Sequence, residues 1–368
     1  MTGRGRVGVG LIGAGVISDE YLTNLTRFPD LEVLFVADLD VERAAQQAEK
    51  YAVPASGSVD ELLRHPGVEL VVNLTIPSVH AAVGIQSLES GKHVWSEKPL
   101  ATTRADGRRL VETARSKGLR VASAPDSFLG PGTQNALRQL DSGVIGTPLT
   151  AITVMQTPGP DVWHPRPEFL FQAGAGPLFD FGPYYLTVLV QVFGPISAVT
   201  ALSSRARSRR SVLSGPRAGS WFDVDVPTHY GVLIDFESGA SAQSTFSFDS
   251  PIVRAGVVEI TGAGGSAVLP DPNAFTGEAS IWLPGSDEPQ VSRPEASDVG
   301  RGLGVLELGR SLRAGRQERA SGDLAFHVLD ALIAISESAE AHERVSVESR
   351  VVPAPLLPSS WNPFESTL

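Results

Sequence analysis

The 368-residue chain contains no cysteine. Disulfides, thiolate nucleophiles, iron–sulfur clusters and cysteine-ligated zinc are thereby excluded. Positive charge is also in short supply. The 30 Lys and Arg residues stand against 41 Asp and Glu, a formal net charge of −11. Nucleic-acid binding requires Lys and Arg clustered against phosphate, so this balance argues against such a partner and against anionic membranes. Long apolar runs are missing. The most apolar stretch, Tyr184–Phe193, is about half the ~20 residues of a transmembrane helix. Arg4 and Arg6 precede Val-Gly-Val-Gly-Leu-Ile-Gly, a short glycine-interrupted run with no small-residue cleavage site after it. That run reads as a buried strand rather than a signal peptide, and the expected compartment is the cytoplasm. No His-x-x-x-His pair or His/carboxylate cluster has metal spacing, so no metal is expected.

At roughly 150 residues per domain the length fits two domains. Residues 1–124 alternate between two periods. Strand-like runs at Val7–Ile12, Leu31–Ala37, Val68–Leu74, His93–Trp95 and Leu119–Ala122 are separated by helical patterns at Ile17–Arg27, Val41–Tyr51, Val59–Arg64, Val79–Ser90 and Arg104–Lys117. Gly91 and Gly118 stand where left-handed helix caps are common, and Ser78 is a plausible N-cap. The alternation predicts an α/β domain, a parallel sheet with helices on both faces. From residue 125 to 345 strands follow one another, at Leu149–Thr157, Ile196–Ser204, Thr228–Phe236, Ala240–Phe248, Val257–Thr261 and Ser280–Leu283. Helical segments interrupt them near Thr133–Asp141, Pro183–Phe193 and Asp323–Glu340. This pattern predicts an α+β domain on a mostly antiparallel sheet. Residues 346–368, rich in Pro and Ser, read as a surface tail. The arginine-rich segment Ser203–Arg217 reads first as a solvated loop, with an oligomer contact or an anion site as the other options.

Gly13-Ala14-Gly15-Val16-Ile17-Ser18 follows a strand and opens a helix. Gly13 permits the tight turn, Gly15 lets a pyrophosphate approach the backbone, and the helix start offers unpaired N–H groups and a positive dipole end. Ser18 is small enough for close helix packing. In this context the loop is a dinucleotide fingerprint, with Gly13, Gly15, Val16 and Ile17 at the cofactor. Asp38 ends the second strand, 25 residues past Gly13, at the spacing of a ribose-binding acid. Its carboxylate would accept the ribose hydroxyls and repel a 2′-phosphate. No Arg or Lys follows in Asp38-Leu39-Asp40, which favours NAD over NADP. The plainer reading makes Asp38 a cap for the helix at Val41.

Gly91-Lys92-His93-Val94-Trp95-Ser96-Glu97-Lys98-Pro99-Leu100 runs through a short strand into a loop. Read alone, Glu97-Lys98-Pro99 is an exposed charged turn. A lysine at a strand's carboxyl end beside a nicotinamide is well placed to meet a substrate hydroxyl. Burial and the cofactor's positive ring would lower its pKa and make it a usable acid or base.

Together with Thr75-Ile76-Pro77-Ser78-Val79-His80 and Gly176-Pro177-Leu178-Phe179-Asp180-Phe181-Gly182-Pro183-Tyr184, these motifs resemble the glucose–fructose oxidoreductase / inositol dehydrogenase / rhizopine-catabolism family over nearly the whole chain. The resemblance implies an N-terminal Rossmann domain and a C-terminal α+β domain with an open sheet that often mediates dimers or tetramers. It implies NAD(P)-dependent redox chemistry on sugars, cyclitols and polyols. It gives Lys98 the catalytic lysine role, with cofactor contacts at Leu39, Thr75, Ile76, Pro77, His80 and Glu97. The family pattern Asp-x-Gly-x-His is kept at Asp180 and Gly182, whereas Tyr184 replaces histidine and Thr187 stands where a later Asp would fall. Asp180 and Tyr184 are therefore the second-domain catalytic candidates.

Within Trp163-His164-Pro165-Arg166-Pro167-Glu168-Phe169, Trp163 and His164 are substrate-contact candidates, since aromatic and imidazole groups suit sugars. Asp126 is a weaker one. His80 reads as holding the cofactor-side helix and loop, and His327 as packing. The expected activity is hydride transfer between nicotinamide and a carbinol carbon of a sugar, glycoside or cyclitol, in a homodimer or homotetramer. The alternatives are an NAD-recycling glycosidase and a non-catalytic NAD-binding regulator.

Overall fold

The computed structural model describes residues 5–295 and 298–368, so Arg4 of the N-terminal basic pair lies outside it. The chain forms two compact units. In the first, six parallel strands run in the order β3-β2-β1-β4-β5-β6: β1 (Val7–Ile12), β2 (Leu31–Ala37), β3 (Ala55–Gly57), β4 (Leu70–Asn73), β5 (His93–Ser96) and β6 (Val121–Ser123). Helices α1 (Ile17–Leu25), α2 (Val41–Lys50), α3 (Val59–Arg64), α4 (His80–Glu89) and α5 (Arg104–Ser116) connect them. Every residue of β1 and β4 is buried, as expected for central strands covered on both faces. One apolar cluster packs Leu62 and Leu63 of α3 against Ile12, Phe35 and Val71. Another packs Leu88 and Leu110 of α4 and α5 against Val94 and Val121.

Helix ends follow local chemistry. Ser58 and Glu61 form a reciprocal capping box at α3, and Thr103 caps α5. Gly91 and Gly118 adopt φ of +79° and +63° after their helices. Ser78, expected to cap α4, instead lies within a single 3₁₀ turn, and Val79 takes the cap position. The three-residue β3 is too short to leave a periodic signal.

The division of the chain differs from the one read in sequence. Residues 298–326 and Ala354–Leu368 belong with the parallel-sheet unit. A helix at Leu303–Ala314, absent from the sequence reading, carries two glycines that look like breakers. Packing explains Gly304: a Cβ there would lie 2.1 Å from the Trp95 ring. Buried Glu307 on this helix accepts from Arg316 and Arg319, at 2.8 and 2.7 Å. The last residues are tethered rather than lying loosely on the surface. Asp30 accepts the N–H groups of Thr367 and Leu368 and pairs with Arg310 at 2.7 Å.

The second unit is built on nine strands ordered β16-β15-β14-β13-β7-β12-β11-β8-β17. They are β7 (Pro148–Gln156), β8 (Ile196–Ser204), β11 (His229–Phe236), β12 (Ser241–Ser247), β13 (Arg254–Gly262), β14 (Gly265–Val268), β15 (Ala279–Trp282), β16 (Gln290–Ser292) and β17 (Val345–Ser346), with β9 (Arg209–Ser211) and β10 (Trp221–Asp223) pairing apart as a hairpin. Neighbours are antiparallel except β7 and β12, which are parallel. Besides α6 (Pro131–Asp141), this unit holds α7 (Gly176–Phe193), which packs on β7, β11 and β12. His327, in the helix Gly322–Ala341, is fully buried and accepts the Ile196 N–H at 2.9 Å, a packing role. Among the described residues no helix is long and apolar enough to cross a membrane.

Candidate active site

In the first unit the candidate residues leave the sheet at one edge. The ladder places Ala37, Ile12, Asn73 and Ser96 in a row across β2, β1, β4 and β5. The next residues of these strands are Asp38, Gly13, Leu74 and Glu97, followed by Lys98. Parallel topology puts all four carboxyl ends on that side, where open α/β sheets bind ligands.

The glycine loop meets the demands of a dinucleotide. Gly13 has φ of +104°, and a Cβ there would lie 2.7 Å from the Leu74 carbonyl oxygen. Open space lies where a Gly15 Cβ would project, and no side chain caps α1. Ser18 is buried, and its hydroxyl donates to the Gly15 carbonyl at 2.6 Å. Three apolar side chains on the loops of this edge face solvent, Val16 at 88%, Leu39 at 98% and Ile76 at 62%. Such exposure is what a covering organic ligand would relieve.

Asp38 is buried and does not cap α2; Asp40 does. The Asp38 carboxylate accepts the Ala14 N–H at 2.6 Å and the Asp40 N–H at 2.9 Å, and it pairs with Arg43 at 2.5 Å. Burial alone would raise its pKa, but Arg43 and the two N–H donors hold it below the usual carboxylate value. Arg43 was missed in sequence because it stands five residues on. The helical turn between carries it back.

His80 ties two loops of this edge together. Its ring nitrogens lie 2.8 Å from the Pro99 and Thr75 carbonyl oxygens. Burial holds the imidazole below its ordinary pKa, against the pull of both carbonyls. Asn73 adds to the tie, accepting from the Thr75 hydroxyl at 2.6 Å and donating to the His80 carbonyl at 2.9 Å. Glu97 turns inward: it accepts from the Tyr21 hydroxyl at 2.7 Å and from the Lys98 N–H at 3.1 Å. Lys98 itself is half-buried. Asp126, expected to touch substrate, is fully buried. Its Oδ2 accepts the N–H groups of Gly302 and Gly304 at 2.9 and 3.0 Å, so the carboxylate faces the wall of this unit.

In the second unit Asp180 and Tyr184 stand one helical turn apart on α7 and therefore share a face. The expectation that Pro183 opens this helix is corrected. Pro177 occupies its first turn, and Pro183 lies inside. Tyr184 is thus buried mid-helix rather than at a helix mouth, with the Phe181 ring 6.4 Å away. Gly182 allows close packing, since a Cβ would lie 2.6 Å from Leu332. Tyr185 is held structurally, accepting the Gly256 N–H at 2.7 Å, and burial raises its hydroxyl pKa.

His164 packs edge-on between Trp163 and Phe169, with ring centroids 5.4 and 5.5 Å away. Its Nδ1 accepts the Arg166 N–H at 3.0 Å, so Nε2 carries the hydrogen of the neutral ring. Burial lowers its pKa, while the charges of Glu168 and Asp180 act the other way. Trp163 is largely exposed. The arginine-rich segment is not simply solvated: Arg210 is buried and fixes this loop. It pairs with Asp161 at 2.6 Å and Asp249 at 2.7 Å and donates to the Pro158 and Phe248 carbonyls. Arg217 pairs with Glu168. Among the described residues no group of three or more His, Asp or Glu side chains could hold a metal ion.

Residues 7–124 match the family described as "Oxidoreductase family, NAD-binding Rossmann fold", and residues 133–268 match the "GFO/IDH/MocA C-terminal domain". A pig protein named trans-1,2-dihydrobenzene-1,2-diol dehydrogenase is 31% identical over 315 residues, 83% of this chain and 86% of its own. The chain belongs to the GFO/IDH/MocA oxidoreductase family. Against the mouse protein of the same name it is 34% identical over 189 residues, half of this chain and 56% of that one. A solved structure described as levoglucosan dehydrogenase in complex with NADH and L-sorbose superposes with a TM-score of 0.82 at 21% identity, covering 94% of this chain and all of that one. That likeness is one of fold. Family membership makes NAD the cofactor of the first unit, and the glycine loop, Asp38 and the exposed apolar rim fit it.

Proposed function

We propose that this GFO/IDH/MocA protein is an NAD-dependent dehydrogenase or reductase of a carbinol carbon in a sugar, glycoside or cyclitol. The observation that carries the reading is the row across β2, β1, β4 and β5, which delivers Asp38, the glycine loop, the Thr75–Pro77 loop and Lys98 to one edge. Bound NAD would accept or supply the hydride. Lys98 orients the substrate hydroxyl and shares its proton, and the Glu97 and His80 contacts fix the backbone that carries it. On α7, Asp180 and Tyr184 are the polar candidates of the second unit, with Tyr184 preferred to His164 as a proton carrier. Trp163 and His164 offer an apolar ring face and an N–H donor suited to a polyol. Net accumulation of reduced nicotinamide with a panel of cyclitols, anhydrosugars and vicinal diols tests the reading. Turnover of glycosides without net reduction, or of nothing in the panel, would overturn it.

We also propose a homo-oligomer paired through the open sheet face. Ile152, Leu233 and Leu202 on β7, β11 and β8 are each about half or more exposed there, around a depression of about 530 Å³ lined by β7, β8, β11 and β12. A second copy with the same face would bury these side chains isologously. Leu233→Asp should lower the mass measured by light scattering, and a monomeric unmodified protein would overturn the assignment.

A further inference from the structure

The loop of residues 157–171, which carries Trp163 and His164, is built on two short 3₁₀ turns, Pro160–Val162 and Glu168–Phe171. Single turns of this kind do not fix a loop by themselves. The segment of residues 209–225, which contains the β9–β10 hairpin, holds it along its length. At the start of the loop, Arg210 of β9 donates to the Pro158 carbonyl at 2.8 Å and to Asp161 at 2.6 Å. The Leu213 N–H donates to the Asp161 carbonyl at 2.9 Å. Midway, the backbone of Gly215 comes so close that a Cβ there would lie 2.8 Å from the Pro165 ring, beside His164. Arg217 pairs with Glu168. At the far end the Asp225 N–H donates to the Phe171 carbonyl at 2.9 Å, and the Arg210 guanidinium lies 5.1 Å from the Phe171 ring centre.

Arg210 is the centre of this arrangement. Its side chain is 3% exposed. Its second terminal nitrogen donates to the Phe248 carbonyl at 2.6 Å and to Asp249 at 2.7 Å, just past β12. One guanidinium therefore ties the loop both to the hairpin and to the end of a strand in the nine-stranded sheet. We propose that Arg210 is a positioning residue for substrate recognition, through which the β9–β10 hairpin fixes where Trp163 and His164 stand and so sets which polyols are accepted. This rests on the reading of Trp163 and His164 as substrate contacts. A recognition loop that samples several conformers binds more weakly in proportion to the share of the competent one. Holding it in one conformer removes that loss. Lys98 belongs to the first unit and takes none of these contacts, so a loosened loop should act on substrate binding and spare the chemistry.

Steady-state kinetics and hydrogen exchange test this in R210K, R217Q, W163A/H164Q and R210K/W163A/H164Q. Lysine keeps the charge but has one nitrogen, which cannot span the four acceptors. R210K should raise KM about tenfold with kcat within about threefold, the mark of lost binding rather than lost chemistry. R217Q removes a half-exposed pair and should raise KM about threefold. W163A/H164Q should raise KM about tenfold or more, and in that background R210K should add less than about twofold, because the contacts it positions are gone. The Trp163, His164 and Leu170 N–H groups bond within the loop. Their exchange should quicken about tenfold in R210K and R217Q while β1 and β4 stay unchanged, which reads local opening with no substrate needed. Unchanged KM in W163A/H164Q would overturn the reading of the loop as a substrate contact, and the proposal with it. Unchanged loop exchange in both arginine variants would overturn the proposal alone. So would an R210K effect on KM that is undiminished in the W163A/H164Q background.

Discussion

Asp126→Asn should change how the stability of the first unit depends on pH. Asp126 is fully buried, and burial pushes its carboxyl up to about 6 from an ordinary 3.8. The N–H groups of Gly304 and Gly302 and the charge of Arg301 oppose that rise, while Glu97 adds to it. At 1.36 kcal/mol for each tenfold change in proton affinity, the charged form costs the fold about 3 kcal/mol. Between pH of about 4 and 6 the folded state holds more protons than the unfolded one. Stability therefore falls as pH rises through that window, and the cost is complete above about pH 6. Asparagine keeps an oxygen for the two glycine N–H groups and never ionises. The variant's stability relative to the unmodified protein should thus improve by about 3 kcal/mol from pH 4 to pH 7. Urea unfolding at a series of pH values, followed by circular dichroism and by the emission of buried Trp95, measures this. A difference between the two proteins that stays constant within about 0.5 kcal/mol across the range would refute the reasoning, because Asp126 would then titrate as an ordinary carboxyl.

Lys98→Ala should reduce turnover by about 10²-fold or more while NADH affinity stays within a few-fold, since a positioned acid–base group acts on the reacting atoms; near-normal turnover at saturating substrate removes Lys98 from the chemistry. Tyr184→Phe deletes one hydroxyl and should cost about 10²-fold in turnover, with His164→Gln acting mainly on KM. The reverse outcome, with loss of a pH–rate inflection in the His164 variant, would transfer the proton to His164. Arg210→Met leaves buried Asp161 without its cation and should destabilise the second unit by about 3–5 kcal/mol in urea unfolding. Adding Asp161→Asn and Asp249→Asn should recover much of that loss, and a single variant as stable as the unmodified protein would show the network contributes little.

What the sequence determined by itself is whatever depends on neighbours along the chain. Continuous apolar runs alternating with helical periods were enough for β1, β2, β4, α2 and α3, because backbone geometry converts those periods directly into buried faces. The glycine loop and Asp38 were legible because a tight turn, an open approach and an acid at a strand end are all local demands. What the tertiary structure decided involves partners far apart in sequence. Glycine 304 looks like a helix breaker until Trp95 is seen pressed against it. Asp126 looks like a polar residue free to meet substrate until Gly302 and Gly304 close over it. The return of Arg310 and the last residues to Asp30 has no periodic trace, since one buried ion pair and a few N–H contacts suffice to hold it. Arg210 likewise reads as one of several surface arginines, and only the folded loops bring Asp161 and Asp249 to it. The division follows from physics: burial patterns repeat along an element and leave a signal, whereas a single charge pair or close approach is specified by three-dimensional position and leaves none.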